Sequence, residues 1–296
     1  VTEFLGFILL TIGFLSDGLT VPDSIYQGIF HSISAFCNAG FSTYDTSLIG
    51  TNPLIKYTVS LLIVLGGLGY FVIYEIMEKY SHKRKFSLHS KIVIITTLLL
   101  IIAGSIFLYI FENGNLSLTD SIFQSITTRT AGFNSTDLNK LSYASYFVLT
   151  SLMFIGASPG STGGGIKTTT FFIMIYSIIS ILKGDANIVI YKRSIPKSYI
   201  LKSYATAFIY FLTISIGVIL LLQNHDFKFE EVLFEAISAM GTVGLSLGIT
   251  PNLSVLGKIV IILLMFIGRL GPASFAMATI IKEKKILFKY PRGDIY

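Results

Sequence analysis

Tryptophan is absent from this chain, cysteine occurs once, at Cys37, and charged residues make up only 13% of the 296. A single cysteine excludes an intramolecular disulfide framework. Without tryptophan, any aromatic belt at a membrane interface falls to the sixteen tyrosines and twenty-four phenylalanines. With 52% hydrophobic residues beside so little charge, the surface cannot face water throughout; it faces lipid. His31, His82, His89 and His225 are scattered without metal-ligand spacing. No histidine or paired carboxylate lies inside an apolar span, so the nucleophile and base of a membrane hydrolase or transferase are missing, and the chain is read as no enzyme. A phosphate loop is missing too. Four residues separate Gly160 from Gly165, but Ile166 then intrudes before Lys167 and breaks the G-x-x-x-x-G-K-[ST] spacing.

What is present is long apolar sequence. Ile92 to Ile110 runs nineteen residues without a charge, enough to span a bilayer. Fifteen of the twenty-two lysines and arginines fall into three clusters: Lys79, Lys83, Arg84, Lys85 and Lys91; Lys183, Lys192, Arg193, Lys197 and Lys202; Lys282, Lys284, Lys285, Lys289 and Arg292. Each cluster ends or separates apolar spans, which marks cytoplasmic loops by the positive-inside rule. The segments between carry Asp17, Asp23, Asp45, Glu112, Asp120, Asp137, Asp226, Glu230 and Glu231 and are assigned outside. The clusters therefore suit anionic lipid, and the reading excludes nucleic acid as a partner. The chain opens on Val1 and runs straight into apolar Phe4 to Phe14, without a basic n-region or cleavage site. That is not a signal peptide, and it suggests that sequence upstream is missing.

Splitting the chain at its basic clusters exposes an internal repeat. Each unit has an apolar span, an outside link, a short segment ending in glycine, and a second apolar span. The spans lie near 1–17 and 53–79, 90–111 and 141–182, and 199–222 and 254–289, giving units 1–80, 81–183 and 184–296. The last two second spans are too long for one straight crossing. In the short segments Phe30, Phe123 and Phe234 are each followed three residues later by Ile, then by Ser or Thr, and then by Gly40, Gly132 and Gly244. Asp23, Asp120 and Glu230 suit the N-termini of these short helices. None of the segments can cross a membrane, and irregular backbone against lipid would leave amides and carbonyls unpaired. Around a water-filled axis the same backbone is useful. Helix dipoles and carbonyls converge there to replace a cation's hydration shell, and the glycines permit the required conformations. The fold class expected is an all-α membrane protein of repeated helix–pore-loop–helix units, three of them visible.

Four motifs together carry a family resemblance: Thr127–Asn134, Phe154–Thr168, Gly241–Ser246 and Gly268–Pro272. In this order and spacing they resemble the KtrB membrane subunit of bacterial potassium uptake, within the Trk/Ktr/HKT superfamily. The resemblance implies a pseudo-fourfold, channel-like architecture of four helix–pore–helix units around one axis, with the three units here matching the second, third and fourth. It implies a selectivity filter at Asn38, Ala39, Gly40 and Phe41, at Thr130, Ala131, Gly132 and Phe133, and at Thr242, Val243, Gly244 and Leu245. Potassium would be held by the backbone carbonyls of Asn38, Ala39, Thr130, Ala131, Thr242 and Val243. It further implies sodium as an activating ion, a homodimer, a KtrA-like cytoplasmic ring that binds nucleotide, and a multi-pass place in the bacterial plasma membrane. A sodium-preferring member of the superfamily is the alternative.

Pro159, Gly160, Ser161, Thr162, Gly163, Gly164 and Gly165 break the second span of the middle unit by a missing amide, flexibility and hydroxyl competition. By resemblance they form an intramembrane gating loop, with Lys167 adding a charge beside it. Arg269 follows a long apolar run and precedes Gly271–Pro272, so it lies deep in a span, where a charge is costly unless it faces protein or water. It is expected to restrain cations below the filter. Arg129, just before the filter residues, is expected to brace them by bonding nearby carbonyls or Asp137.

Overall fold

The computed structural model describes residues 2–82, 85–185, 187–223 and 226–271. The described residues contain eleven α-helices: α1 (Thr2–Ser16), α2 (Val21–Phe36), α3 (Pro53–Leu68), α4 (Tyr70–His82), α5 (Leu88–Phe111), α6 (Leu118–Thr127), α7 (Tyr143–Phe154), α8 (Thr168–Leu182), α9 (Lys197–Gln223), α10 (Phe229–Gly241) and α11 (Val255–Leu270). Most begin at a side chain that accepts an otherwise orphaned amide: Thr20, Asn52, Ser87, Ser117, Ser142 and Ser254. Asp23 and Asp120 sit at the third position of α2 and α6, bonded to the capping hydroxyls of Thr20 and Ser117. In α10 the residue expected in this role, Glu230, is displaced by its neighbour: the Lys228 amide donates to Glu231 Oε2 at 3.2 Å.

Helices α5 and α9, of 24 and 27 residues, are each long and apolar enough to cross a membrane alone. Leu98, Leu99, Ile102 and Ile106 on α5 and Phe208, Phe211 and Ile219 on α9 are exposed, as lipid-facing residues are. The 53–79 span is a bent pair, α3 and α4, turning by 99° at Gly69, whose φ of +85° needs glycine. The overlong 141–182 stretch is two helices, α7 and α8, parted by the Gly-rich loop. A two-stranded hairpin, Val189–Ile190 with Arg193–Ser194, occupies the second basic cluster, where the apolar patterning had indicated only a loop. Lys83, Arg84, His225, Pro272 and the third basic cluster lie outside the described residues.

Helices α2, α6 and α10 each pack against a partner pair: α1 and α3, α5 and α7, α9 and α11. The units then join in a fixed sense. Helix α3 leans on α6 of the next unit, and α7 leans on α10 of the one after. The first of these joints contains a largely buried ion pair, Lys56 Nζ to Asp120 Oδ1 at 2.7 Å. The acidic links also tie the first two units together internally. Asp17, after α1, accepts the Asn52 amide at 3.1 Å. Glu112, after α5, accepts the Ser142 amide and hydroxyl, both at 2.9 Å, and the Ser145 hydroxyl.

Candidate ion pathway

Just beyond each short helix the backbone takes one shape three times. Asn38, Thr130 and Thr242 have φ of +50°, +76° and +54°, and two residues later Gly40, Gly132 and Gly244 have φ of +72°, +87° and +94°. A left-handed residue, one intervening residue and a left-handed glycine make a ribbon that folds its amides back toward the helix. The Ala39 amide donates to Ser34 O (2.9 Å), Ala131 to Thr127 O (3.0 Å) and Val243 to Ser238 O (2.9 Å).

The side chains of the same three residues hold the far end of each ribbon. Ser34 Oγ donates to the Phe41 carbonyl and Thr127 Oγ1 to the Phe133 carbonyl, both at 2.8 Å, while the Gly244 amide donates to Ser238 Oγ at 3.2 Å. The repeated Ile-Ser/Thr of the sequence contains these residues, but periodicity alone gave them no role. A second brace lies one residue after two of the three repeated Phe residues. His31 Nε2 bonds Ser42 Oγ at 3.0 Å, and Glu235 accepts from Ser246 and Thr250. The corresponding Gln124 is fully buried, and neither of its amide atoms has a partner among the described residues.

The ribbons adjoin one another in chain order. A Cβ on Gly40 would collide with the Ala131 carbonyl, and one on Gly132 with the Val243 carbonyl. Gly244 is different: among the described residues its Cβ would meet only the Gly132 Cα within 4 Å, at 3.8 Å. The first ribbon is open on its other side. Phe41 is 71% exposed, whereas the corresponding Phe133 and Leu245 are buried. The expected filter residues of all three segments are thus neighbours, but they close only part of a circle.

Beneath the ribbons lies the Pro159–Gly165 segment. Gly163 packs against the Thr130 side chain, and the Gly164 amide donates to Thr242 Oγ1 at 3.0 Å. Ser158 N donates to Gly67 O at 3.1 Å, and Tyr70 N donates to Gly160 O at 3.1 Å. The loop therefore touches all three units. Pro159 presents its carbonyl to Gly69, Ser161 Oγ bonds back to Ser158 O, and Gly165, with φ +71°, packs on Gly156. Two cations grip its tip: Lys167 Nζ donates to Gly163 O at 2.7 Å, and Arg269 Nη1 donates to Thr162 O. For Arg269 the sequence indicated only a charge at depth; its carbonyl partner comes from a segment 107 residues away.

Arg129 does not brace the filter as expected. Its side chain is buried behind the second ribbon, in a small cavity with Thr97, Ile101 and Gly67, and its Nε has no partner among the described residues. Asp137 instead accepts the Asn139 amide and pairs with Lys140. Arg129 is enclosed by residues of α3, α5 and α6, surroundings that spacing does not reveal.

Re-entrant helices converging on braced backbone ribbons, with long apolar helices outside them, define a pore-type membrane transport protein. Residues 2–290 match the TrkH family, described as cation transport protein. The chain belongs to that family, one of multi-pass plasma-membrane cation transporters and not of enzymes. It is 36% identical over 284 residues to the Ktr system potassium uptake protein B of Bacillus subtilis, which covers 92% of this chain and 63% of that one. It is 35% identical over 315 residues to the potassium/sodium uptake protein NtpJ of Enterococcus hirae, covering all of this chain and 69% of the relative. The potassium transporter TrkH from Vibrio parahaemolyticus has a similar fold, with a TM-score of 0.73 at 20% identity over 94% of this chain and 62% of that one. The chain thus spans less than two thirds of the length of the Bacillus relative and of the TrkH chain.

Proposed function

We propose that this protein passes potassium through a passage lined by the carbonyls of Asn38, Ala39, Thr130, Ala131, Thr242 and Val243, with the Pro159–Gly165 loop as its gate. The observation that carries the reading is the threefold ribbon: tying the amides back to Ser34, Thr127 and Ser238 leaves oxygen, not N–H, available to an ion. A fourth carbonyl-bearing segment fits the open flank of Gly244 and completes the coordination. The loop, bonded to all three units, is in blocking position; withdrawing it requires breaking the Thr242, Gly67 and Arg269 contacts together. The work for that comes from a KtrA-like cytoplasmic ring that binds nucleotide, and the assembly is a homodimer with sodium as an activating ion.

Complementation of cells lacking potassium uptake tests the reading. Expression with the nucleotide-binding partner should restore growth at low potassium, with rubidium or potassium uptake exceeding sodium uptake. A relative named for potassium and sodium together favours one alternative, a less selective passage, and uptake of sodium equal to that of potassium would decide for it.

A further inference from the structure

The two joints between units are built differently. At the first, Lys56 pairs with Asp120, and the Tyr57 hydroxyl bonds Thr119 Oγ1 at 2.9 Å. Counting from the helix caps, the residues in these places at the second joint are Tyr146 with Glu231 and Phe147 with Glu230. Neither bond recurs there: Tyr146 donates to Leu138 O instead, and among the described residues no cation pairs with either glutamate. Residues of α7, α9 and α10 line a crevice of about 950 Å³.

The crevice is apolar along its length, with Phe147, Phe154, Phe211 and Leu233 in its walls and Glu230 at its outer end. It follows α7 from Tyr143 to Ile155, about 18 Å at 1.5 Å per residue, close to the ~15 Å of hydrocarbon in one leaflet. Its inner end is formed by Ile155 and Phe171, which flank the loop on its two sides.

We infer that this crevice is a lipid site, taking one acyl chain of an outer-leaflet phospholipid whose ammonium headgroup stands beside Glu230 and Glu231 as Lys56 stands beside Asp120. Length selects an acyl chain over a protein side chain. The two carboxylates, with no cation partner among the described residues, select an amine headgroup over an anionic one.

The absence of tryptophan makes the test direct. Phe147→Trp places one fluorophore on the crevice wall, and Phe107→Trp places one on the outer part of α5, away from it. Each variant of the protein is reconstituted in phosphatidylcholine vesicles containing a minor fraction of dibrominated phosphatidylethanolamine or dibrominated phosphatidylglycerol. For Phe147→Trp, quenching by the brominated ethanolamine lipid should exceed that by the glycerol lipid roughly two- to fivefold, as one partly exposed ion pair predicts. Unbrominated phosphatidylethanolamine should relieve it, and Phe107→Trp should show no headgroup preference. Adding Glu230→Gln and Glu231→Gln should abolish the preference; the competition by unbrominated lipid needs no second mutation and stands if that variant does not fold. Equal quenching by both lipids, matching Phe107→Trp, overturns the proposal. So does the lack of quenching by either lipid together with cross-linking of a second copy at the crevice.

Discussion

Threonine is a poor residue for a left-handed backbone, because its branched Cβ crowds the carbonyl there. Thr130 and Thr242 hold it nonetheless, each fixed by amides tied back to the pore helix, and in Thr242 by the loop amide on its hydroxyl. The strain, about 1–3 kcal/mol per residue, marks where the oxygens are aimed. The glycines two residues on are not equivalent. A side chain at Gly132 meets the Val243 carbonyl as well as an unfavourable φ, whereas one at Gly244 meets only the φ among the described residues. Gly132→Ser should therefore weaken preference for potassium over sodium more than Gly244→Ser, as measured by relative uptake of the two ions in potassium-depleted cells. Unchanged relative uptake in both would remove these glycines from the filter. Arg269 acts at a different point: it holds the Thr162 carbonyl of the loop tip and places a positive charge on the inner side of the ribbons. A like charge ~6 Å from a cation costs a kcal/mol or more at an effective dielectric near 20. Arg269→Ala should raise flux in proteoliposomes at matched protein density without changing ion preference, and Arg269→Lys should raise it less, since an ammonium retains the charge but not the fork. A fall in flux from an intact assembly would assign Arg269 to holding the structure together.

Much of the arrangement of elements was legible in the sequence, because membrane burial imposes one pattern. Apolar length gave α5 and α9, and the spacing from Phe to Gly located α2, α6 and α10. The loop was legible through its composition. What was not legible depends on pairs distant in sequence: Arg269 with Thr162, Lys56 with Asp120, and the surroundings of Arg129. The seat of the loop is one such fact, and it sharpens a test. Deleting Pro159 to Gly164 removes contacts to all three units at once, so resting cation flux in liposomes without the cytoplasmic partner should rise; unchanged flux from a folded protein would mean that the loop is no barrier. Glu112 illustrates a second kind of link, in which the outer end of one helix caps the start of another. Burial alone raises its carboxyl pKa, but the Ser145 and Ser142 bonds outweigh burial and hold it below the usual range. A depressed folded-state pKa contributes stability above the unfolded value, and that stability is lost as pH falls through the folded value. Thermal stability should thus decline below about pH 4, and Glu112→Gln should lower stability at neutral pH while flattening that acid limb. An acid limb unchanged in the variant would show that the carboxylate is not linked to folding.

At the scale of the whole molecule, the units follow a rule of succession: the inner helix of each leans on the pore helix of the next. Lys56 belongs to that rule, reaching from the fourth residue after the α3 cap to the acid in the first turn of α6. In α11 the fourth residue after the cap is Lys258, exposed on a helix whose neighbours Val255, Leu256, Ile259 and Ile262 are also exposed and apolar. A lysine in such a face is expensive in hydrocarbon and makes sense if an acid meets it. The open flank of Gly244 lies on the same unit, so a fourth pore helix seated there would bring its own capping acid to Lys258 as α6 brings Asp120 to Lys56. Removing one partner of a largely buried pair strands the other, at about 2–4 kcal/mol once partial exposure is allowed for. Lys56→Met and Lys258→Met should consequently lower the unfolding temperature of the protein in detergent by similar amounts, and the loss in Lys56→Met should be reversed mainly by replacing Asp120. If Lys56→Met is destabilising and Lys258→Met is silent, the succession stops at the third unit, and the flank of Gly244 is closed by something other than a fourth copy of the same joint.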